Sequence, residues 1–174
     1  MVDINGLIET HSEKAYRAAY RLTGNQADAC DLVQETFVRV IKKAELYDEA
    51  FDFGGWLHRM LFRVYLNGRR ARGRRREVSL ETLEGERCSF QAIGAAAGES
   101  PEKISEATEF REKLASALNA LPPELRVCVV LVDIEGHDYG QAAEMLGWPV
   151  GSVSGRLFRA RRLLRDMLRR GEGI

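Results

Sequence analysis

Residues 77–105, EVSLETLEGERCSFQAIGAAAGESPEKIS, are rich in Gly, Ala, Ser and Glu and only weakly periodic. A structureless segment of that length is rarely found inside a compact domain. It therefore reads as a linker with at most one short helical turn, and it splits the chain into two small domains.

Both flanks carry helical patterns. Residues 5–68 show no sustained alternation of apolar and polar residues, so a sheet has no candidate strands there. LIETHSEKAYRAAYRLTG reads as a first helix ended by Gly24. NQADACDLVQETFVRVIKKA reads as a second, with Asn25 as N-cap and Asp28 in the first turn. ELYDEAFDFGG is a loop, and WLHRMLFRVYLNGRR a third helix starting at Trp56. After the linker, TEFREKLASALNAL is stopped by Pro122-Pro123. PELRVCVVLVDIEG follows, with Pro123 near its first turn and Gly136 beyond its end. Its β-branched run VCVVLV resembles a strand, but the caps and helical neighbours favour helix. DYGQAAEMLG is a short helix ended by Gly147, and VGSVSGRLFRARRLLRDMLRR a long last one. The expected fold is all-α: helical domains at 1–76 and 106–174, joined by a flexible acidic linker, the second a helix-turn-helix.

Composition narrows the function. Apolar residues make up 45% of the 174, enough for packed cores. No apolar run approaches the ~20 residues of a membrane-spanning helix. The polar, acidic N-terminus is unlike a secretory signal, so the expected location is the cytoplasm. Cys30, Cys88 and Cys128 form no CxxC pair, and His11, His58 and His137 are near none of them in sequence. A metal site, disulfide framework or cofactor is therefore not expected. GxxxxGK[ST], HExxH and GxSxG are all missing from the sequence, so catalysis is not expected either.

A formal net charge of zero conceals segregation. Residues 1–68 carry −2, the run RRARGRRR at 69–76 carries +6, residues 77–112 carry −6, 113–155 carry −3 and 156–174 carry +5. Either arginine cluster can neutralise several phosphates, or serve simply as a solvated helix end.

Three constellations stand out. In 139–164, Tyr139, Ala142, Ala143 and Leu146 form the inner face of a short helix, Gly147 a left-handed turn, and Val153, Leu157, Ala160 and Leu164 the inner stripe of the next. This is the helix-turn-helix design, whose second helix enters the DNA major groove. Opposite the stripe lie Ser152, Ser154, Gly155, Phe158, Arg159, Arg162 and Arg165, with Arg156 beside them. Small polar residues can approach base edges, arginines can reach phosphate or guanine, and Phe158 can touch a thymine methyl. In DLVQETFVRVIK, Leu32, Val33, Thr36, Phe37, Val40 and Ile41 face one way, and Asp31, Gln34, Glu35, Val38 and Lys42 the other. The second set suits either a protein–protein surface or ordinary solvent. In 56–70, Leu57, Leu61, Val64 and Tyr65 face inward while Arg59, Arg63, Asn67 and Arg70 face outward, running into Arg69 and the arginine cluster. The preceding loop offers Tyr47, Phe51 and Phe53. Aromatics beside arginines can hold unstacked bases; alternatively Phe51, Phe53 and Trp56 anchor a core under the loop, the role favoured for Trp56.

In this order, DLVQETFVRV, WLHRMLFRVYLNGRRARGRR and LPPELRVCVVL with YGQAAEMLGWPVGSVSGRLFRARRLL resemble a bacterial RNA polymerase sigma factor of the extracytoplasmic-function group, over residues 8–76 and 106–170. The resemblance implies a monomeric initiation factor without catalysis. Asp31, Gln34, Glu35 and Val38 would dock on the clamp helices of the polymerase largest subunit. Tyr47, Phe51, Phe53, Arg59, Arg63, Asn67, Arg69 and Arg70 would capture and open the promoter −10 element. Ser152, Ser154, Gly155, Arg156, Phe158, Arg159 and Arg162 would read the −35 element. The acidic linker would thread the product channel, and an anti-sigma protein would hold the factor inactive. The sequence departs from the family pattern at Phe62-Arg63, where Arg-Asn is frequent, and at Ser154-Gly155, where a basic residue and Ser are frequent. A decoy that binds only an anti-sigma protein, or an autonomous helix-turn-helix regulator, are the competing readings. The linker's Cys88 is the thiol expected to be exposed to oxidants.

Overall fold

A computed structural model of the chain describes residues 3–50, 52–75 and 101–171, with side chains described through residue 68 and from 108 to 170. The linker core at 76–100, Cys88 with it, and Phe51 lie outside the described residues. Among those described there is no strand. The helices are α1 (Ile4–Thr23), α2 (Gln26–Lys42), α3 (Phe53–Arg75), α4 (Pro101–Ala120), α5 (Pro123–Val129), α6 (Tyr139–Leu146) and α7 (Val150–Gly171), with a 3-10 turn at Ala44–Leu46.

The helix ends follow from local chemistry. Asp3 caps α1 by accepting from the Gly6 amide at 3.0 Å. Gly24 ends it at φ +79°, donating to the Tyr20 carbonyl at 2.8 Å. Gly24 also lacks room for a side chain, since a Cβ there would strike the Asn119 amide of α4. Asn25 caps α2, accepting from the Asp28 amide at 2.8 Å. Asp52 accepts from the Gly55 amide at 2.7 Å, which starts α3 at Phe53 rather than at Trp56. Helix α4 begins at Pro101, earlier than the periodicity indicated, with proline in the first helical position that suits it. The run VCVVLV is helical, and α5 continues as a wider π-turn over Val130–Ile134. Gly136 ends that turn at φ +77°.

Small residues on α1 (Ala15, Ala18, Ala19) are fully buried and let α2 and α3 approach closely. Leu32, Val33 and Val40 of α2 and Leu57, Leu61, Phe62 and Val64 of α3 complete this layer. The C-terminal layer is built from Leu121, Val127, Val130 and Leu131 with Val153, Leu157, Ala160 and Leu164 of α7. The two layers belong to one contiguous core: α6 and α5 pack on α3, and α4 on α1. Two expected inner positions differ. Ile41 is 54% exposed, because α2 is in its last turn there, and Tyr139 is 37% exposed at the first residue of α6, whereas Met145, not among the expected inner residues, is buried.

Polar groups stitch the layers together. Arg126 of α5 is 3% exposed. Its guanidinium donates to the Leu22 carbonyl at 2.5 Å, to the Asn119 carbonyl, and to the Leu121 carbonyl at 3.2 Å. These acceptors are C-terminal carbonyls of α1 and the end of α4, groups that a helix cannot satisfy internally. His58 of α3 is also 3% exposed, and its Nδ1 lies 3.4 Å from Glu135 Oε2. Arg21 of α1 donates to the other Glu135 oxygen at 3.2 Å. Burial first, then the positive charge of Lys14 and of His137 and His11, pushes the His58 imidazole down to about 4, against a weaker opposing pull from Asp52. The ring is thus neutral at pH 7.

Two expectations follow. Arg126→Ala leaves buried carbonyls unpaired on two helices and should cost about 3 kcal/mol. Urea unfolding followed by circular dichroism checks this; a loss below about 0.5 kcal/mol, the size of an ordinary surface change, would show that Arg126 is not a structural tie. For His58, the folded value near 4 lies below the unfolded 6.5, so the unfolded state takes up the proton first on acidification. Its contribution is complete above pH 6.5 and is lost as pH falls toward 4. That contribution is at most about 3 kcal/mol. The urea midpoint of His58→Gln should accordingly vary less over this window than that of the parent; parallel profiles would refute the assignment.

Candidate nucleic-acid and protein interfaces

Helices α6 and α7 are set by their termini. Asp138 and Gln141 form a reciprocal capping box at the start of α6, with bonds of 2.8 and 3.0 Å. Gly147 leaves α6 at φ +68°, and the Trp148 amide donates back to Ala143 at 3.0 Å. Pro149 then opens α7, its carbonyl accepting from the Ser152 amide at 2.9 Å. The buried Ala142 and Ala143 face the inner stripe of α7, whose four expected members are all buried.

The outward face of α7 matches the expected set in most positions. Ser154, Gly155, Phe158, Arg159, Arg162 and Arg165 are exposed, Phe158 at 72%. Ser152 is half-buried. Arg156 is turned back: its guanidinium carbon stacks 4.4 Å from the Trp148 ring centre, Nη1 donates to Ser152 O at 3.3 Å, and Nε lies 3.9 Å from Glu124. Arg161 is committed to Asp133 through a two-pronged bond of 3.2 and 2.5 Å. Arg159, Arg162 and Arg165 make no ion pair among the described residues. They leave an unneutralised positive stripe beside an exposed aromatic ring.

On α2, Asp31, Gln34, Glu35 and Val38 are exposed together, with Glu35 paired to Arg39 at 2.6 Å. Val38, at 49%, and the unexpectedly exposed Ile41 give this acidic face an apolar centre. Such a face suits a protein partner more than a solvated helix does.

On α3, Arg63 and Asn67 are exposed and Arg59 is half-buried. Arg59 Nη1 lies 3.4 Å from Glu144 Oε1 of α6, and Arg63 Nη2 comes 3.5 Å from where a Gly147 Cβ would sit. The short helix of the C-terminal half and its turn thus lie over the arginine face of α3. The backbone of Arg69 and Arg70 continues α3, while their side chains are outside the described set.

Phe53 requires a correction. It is 3% exposed and packs against His11, Tyr47 and Trp56, with ring centres 5.3, 5.3 and 5.8 Å away. Once Asp52 caps α3, Phe53 is the first helical residue and turns inward, so it is a core anchor and not a base-holding group. Tyr47 is half-buried in the same cluster, 5.2 Å from Trp56. Cys30 and Cys128 are buried, and burial above all pushes the Cys128 thiol up to about 11, with Glu124 adding to the rise and Arg156 opposing it. A thiol in that setting is a poor nucleophile. Arg126 and the His58–Glu135 contact escaped the sequence reading; the available signal was a lone cation and a lone imidazole at inward helical positions.

The model of "Sigma-70 region 2" matches residues 7–75, and that of "Sigma-70, region 4" matches residues 111–164. The chain is 41% identical over 162 residues to the ECF RNA polymerase sigma factor SigE of Mycolicibacterium smegmatis, spanning 93% of this chain and 60% of that relative. It is 32% identical over 136 residues to the ECF RNA polymerase sigma-E factor of Salmonella typhimurium, spanning 77% and 70%. Its fold is similar to that of the sigma factor RpoE solved with the anti-sigma factor NepR from Bartonella quintana, at TM-score 0.67 and 22% identity over 96% of this chain and 97% of that one. It is likewise similar to CnrH solved with the cytosolic domain of CnrY, at TM-score 0.59 and 25% identity, covering 95% and 86%.

Proposed function

The chain belongs to the extracytoplasmic-function group of sigma-70 factors, and from that membership we propose that it binds core RNA polymerase and directs initiation at a specific class of promoters. The observation that carries the DNA half of this reading is the outer face of α7. Three arginines that make no ion pair among the described residues, and an exposed Phe158, line one side of a helix that follows a capped helix and a glycine turn. A Cβ at Gly151 or Gly155 would meet nothing within 4 Å, so internal packing does not account for these glycines. Close approach of a helix to DNA does account for them. Ser152, Ser154, Gly155 and Phe158 would meet base edges of the −35 element, and Arg159 and Arg162 its phosphates or guanines. Arg156 joins them after leaving Trp148.

Helix α2 would dock on polymerase through Asp31, Gln34, Glu35 and Val38. Tyr47, Arg59, Arg63, Asn67, Arg69 and Arg70 would hold the opened −10 strand, which offsets the few kcal/mol needed to unstack it. Residues 1–76 and 106–174 would act as separable domains, because α6 must leave Arg59 and Arg63 before DNA reaches them. The linker's negative charge suits a basic protein channel. The factor contributes binding energy and no catalytic step, acts in the cytoplasm with the polymerase, and is restrained by an anti-sigma protein covering these faces. Among the described residues no helix is long and apolar enough to cross a membrane.

Run-off transcription with core polymerase and a genomic promoter library tests the reading: transcripts should depend on the added chain. A folded chain that binds duplex DNA but not core would instead mark an autonomous regulator. Asp31→Arg with Glu35→Arg should abolish core binding in a pull-down while leaving helical content intact; undiminished capture would move the docking surface elsewhere. Replacing Arg159 and Arg162 by Ala should weaken −35 binding by the holoenzyme and reduce the slope of log affinity against log salt by about 2. An unchanged slope would remove these arginines from the DNA interface.

A further inference from the structure

His58, Glu135 and His137 converge where the two halves meet. Each offers one ligand atom, and the three atoms lie within 4.8 Å of one another. His58 comes from α3, whereas Glu135 and His137 flank Gly136, whose φ of +77° turns the chain sharply between them. The turn is anchored on both sides: the Glu135 amide donates to Val130 O at 2.9 Å and the His137 amide to Leu131 O at 3.0 Å. His58 is further fixed by edge-on contact with Phe62, ring centres 6.3 Å apart.

We propose that His58, Glu135 and His137 bind one divalent transition-metal ion of the zinc, cobalt or nickel class, bridging α3 to the turn after α5. Two imidazoles and one carboxylate are an established donor set for zinc, with a position left for water. Imidazole selects such ions, whereas calcium and magnesium require several oxygen ligands, and this set has one carboxylate. The bond from Arg21 occupies Oε1 of Glu135 and leaves Oε2 facing His58. A bonded outer oxygen is the usual way a ligating carboxylate is oriented. Ligand atoms ~2.1 Å from a zinc ion stand ~3.5 Å apart, so the set must close by about 1 Å. His137 is only half-buried, on a turn, and can supply that movement. His11 is not part of this converging group, and its Nδ1 is bonded to Leu7 O at 2.9 Å. The positive charges of Lys14 and Arg21 weaken the site, which suits an exchangeable ion more than a permanent one.

The proposal concerns binding and stands apart from the promoter reading. The untagged full chain, stripped with a chelator, is titrated with Co2+, whose visible absorption reports ligand type and geometry. One equivalent should produce bands of a nitrogen and oxygen site, with no thiolate charge transfer, and Zn2+ should bleach them. His137→Ala and Glu135→Gln should each lose the bands while keeping the parent helical content. Added Zn2+ should raise the urea midpoint of the parent but not of either variant. No bands in the parent, bands that persist in both variants, or a thiolate signature would overturn the site. His58→Ala is the less informative variant because it also opens a cavity in the core.

Discussion

One buried cation ties the ends of three helices together where the two halves meet. Arg126 places a guanidinium, at 3% exposure, among carbonyls from the ends of α1 and α4. Hydrogen bonds to these backbone dipoles offset part of the cost of desolvating it. Those dipoles are the negative ends of two helices, where a positive charge is favoured. The geometry is therefore demanding: both helices must stop at the same place. Gly24 stops α1 and makes room for Asn119, while Pro122 and Pro123 stop α4. A side chain at Gly24 or a continuous α4 would leave Arg126 without acceptors.

Helix α3 is where the competing demands meet. Its inner stripe anchors the core through Leu57, Leu61 and Val64, His58 meets the turn at Gly136, and Arg59 and Arg63 face α6. The same outer arginines are the natural groups for a nucleic-acid backbone. A solvent-exposed ion pair such as Arg59–Glu144 contributes less than about 1 kcal/mol and is screened by salt, so a polyanion can displace it. The positive stripe on α7 is different, since Arg159, Arg162 and Arg165 make no ion pair among the described residues while the halves are together.

Much of this was legible from local chemistry. Asn25, Gly24, Gly136, Gly147 and Pro123 each act within one helical turn, so the sequence places them correctly. The inner stripe of α7 follows from its period of 3.6. The misjudged residues are those whose environment comes from elsewhere in the chain. Phe53 looks like a loop aromatic until Asp52 caps α3 and His11 of α1 meets its ring. Arg126 and His58 received no role from the sequence because their partners, a second helix end and the Gly136 turn, come from far away in the chain. Ile41 and Tyr139 lie at helix termini, where periodicity no longer dictates which side is covered.

The polar character of the joint carries a consequence for how the halves separate. Apolar surface exposed on opening costs free energy in proportion to its area. Buried polar groups behave otherwise, because each finds water once released. His58, Glu135 and the Leu22 carbonyl bound by Arg126 would gain hydration if the halves parted, which would offset part of the cost of opening. A joint made of well-packed leucines would hold more tightly, as replacements of buried ion pairs by apolar residues elsewhere show. The polar joint instead specifies one docking geometry, since any shift strands a charge, while keeping the docked state within reach of a partner's binding energy. If α3 is to be opened to a partner, that combination serves it, and the carbonyl-bound arginine contributes to it.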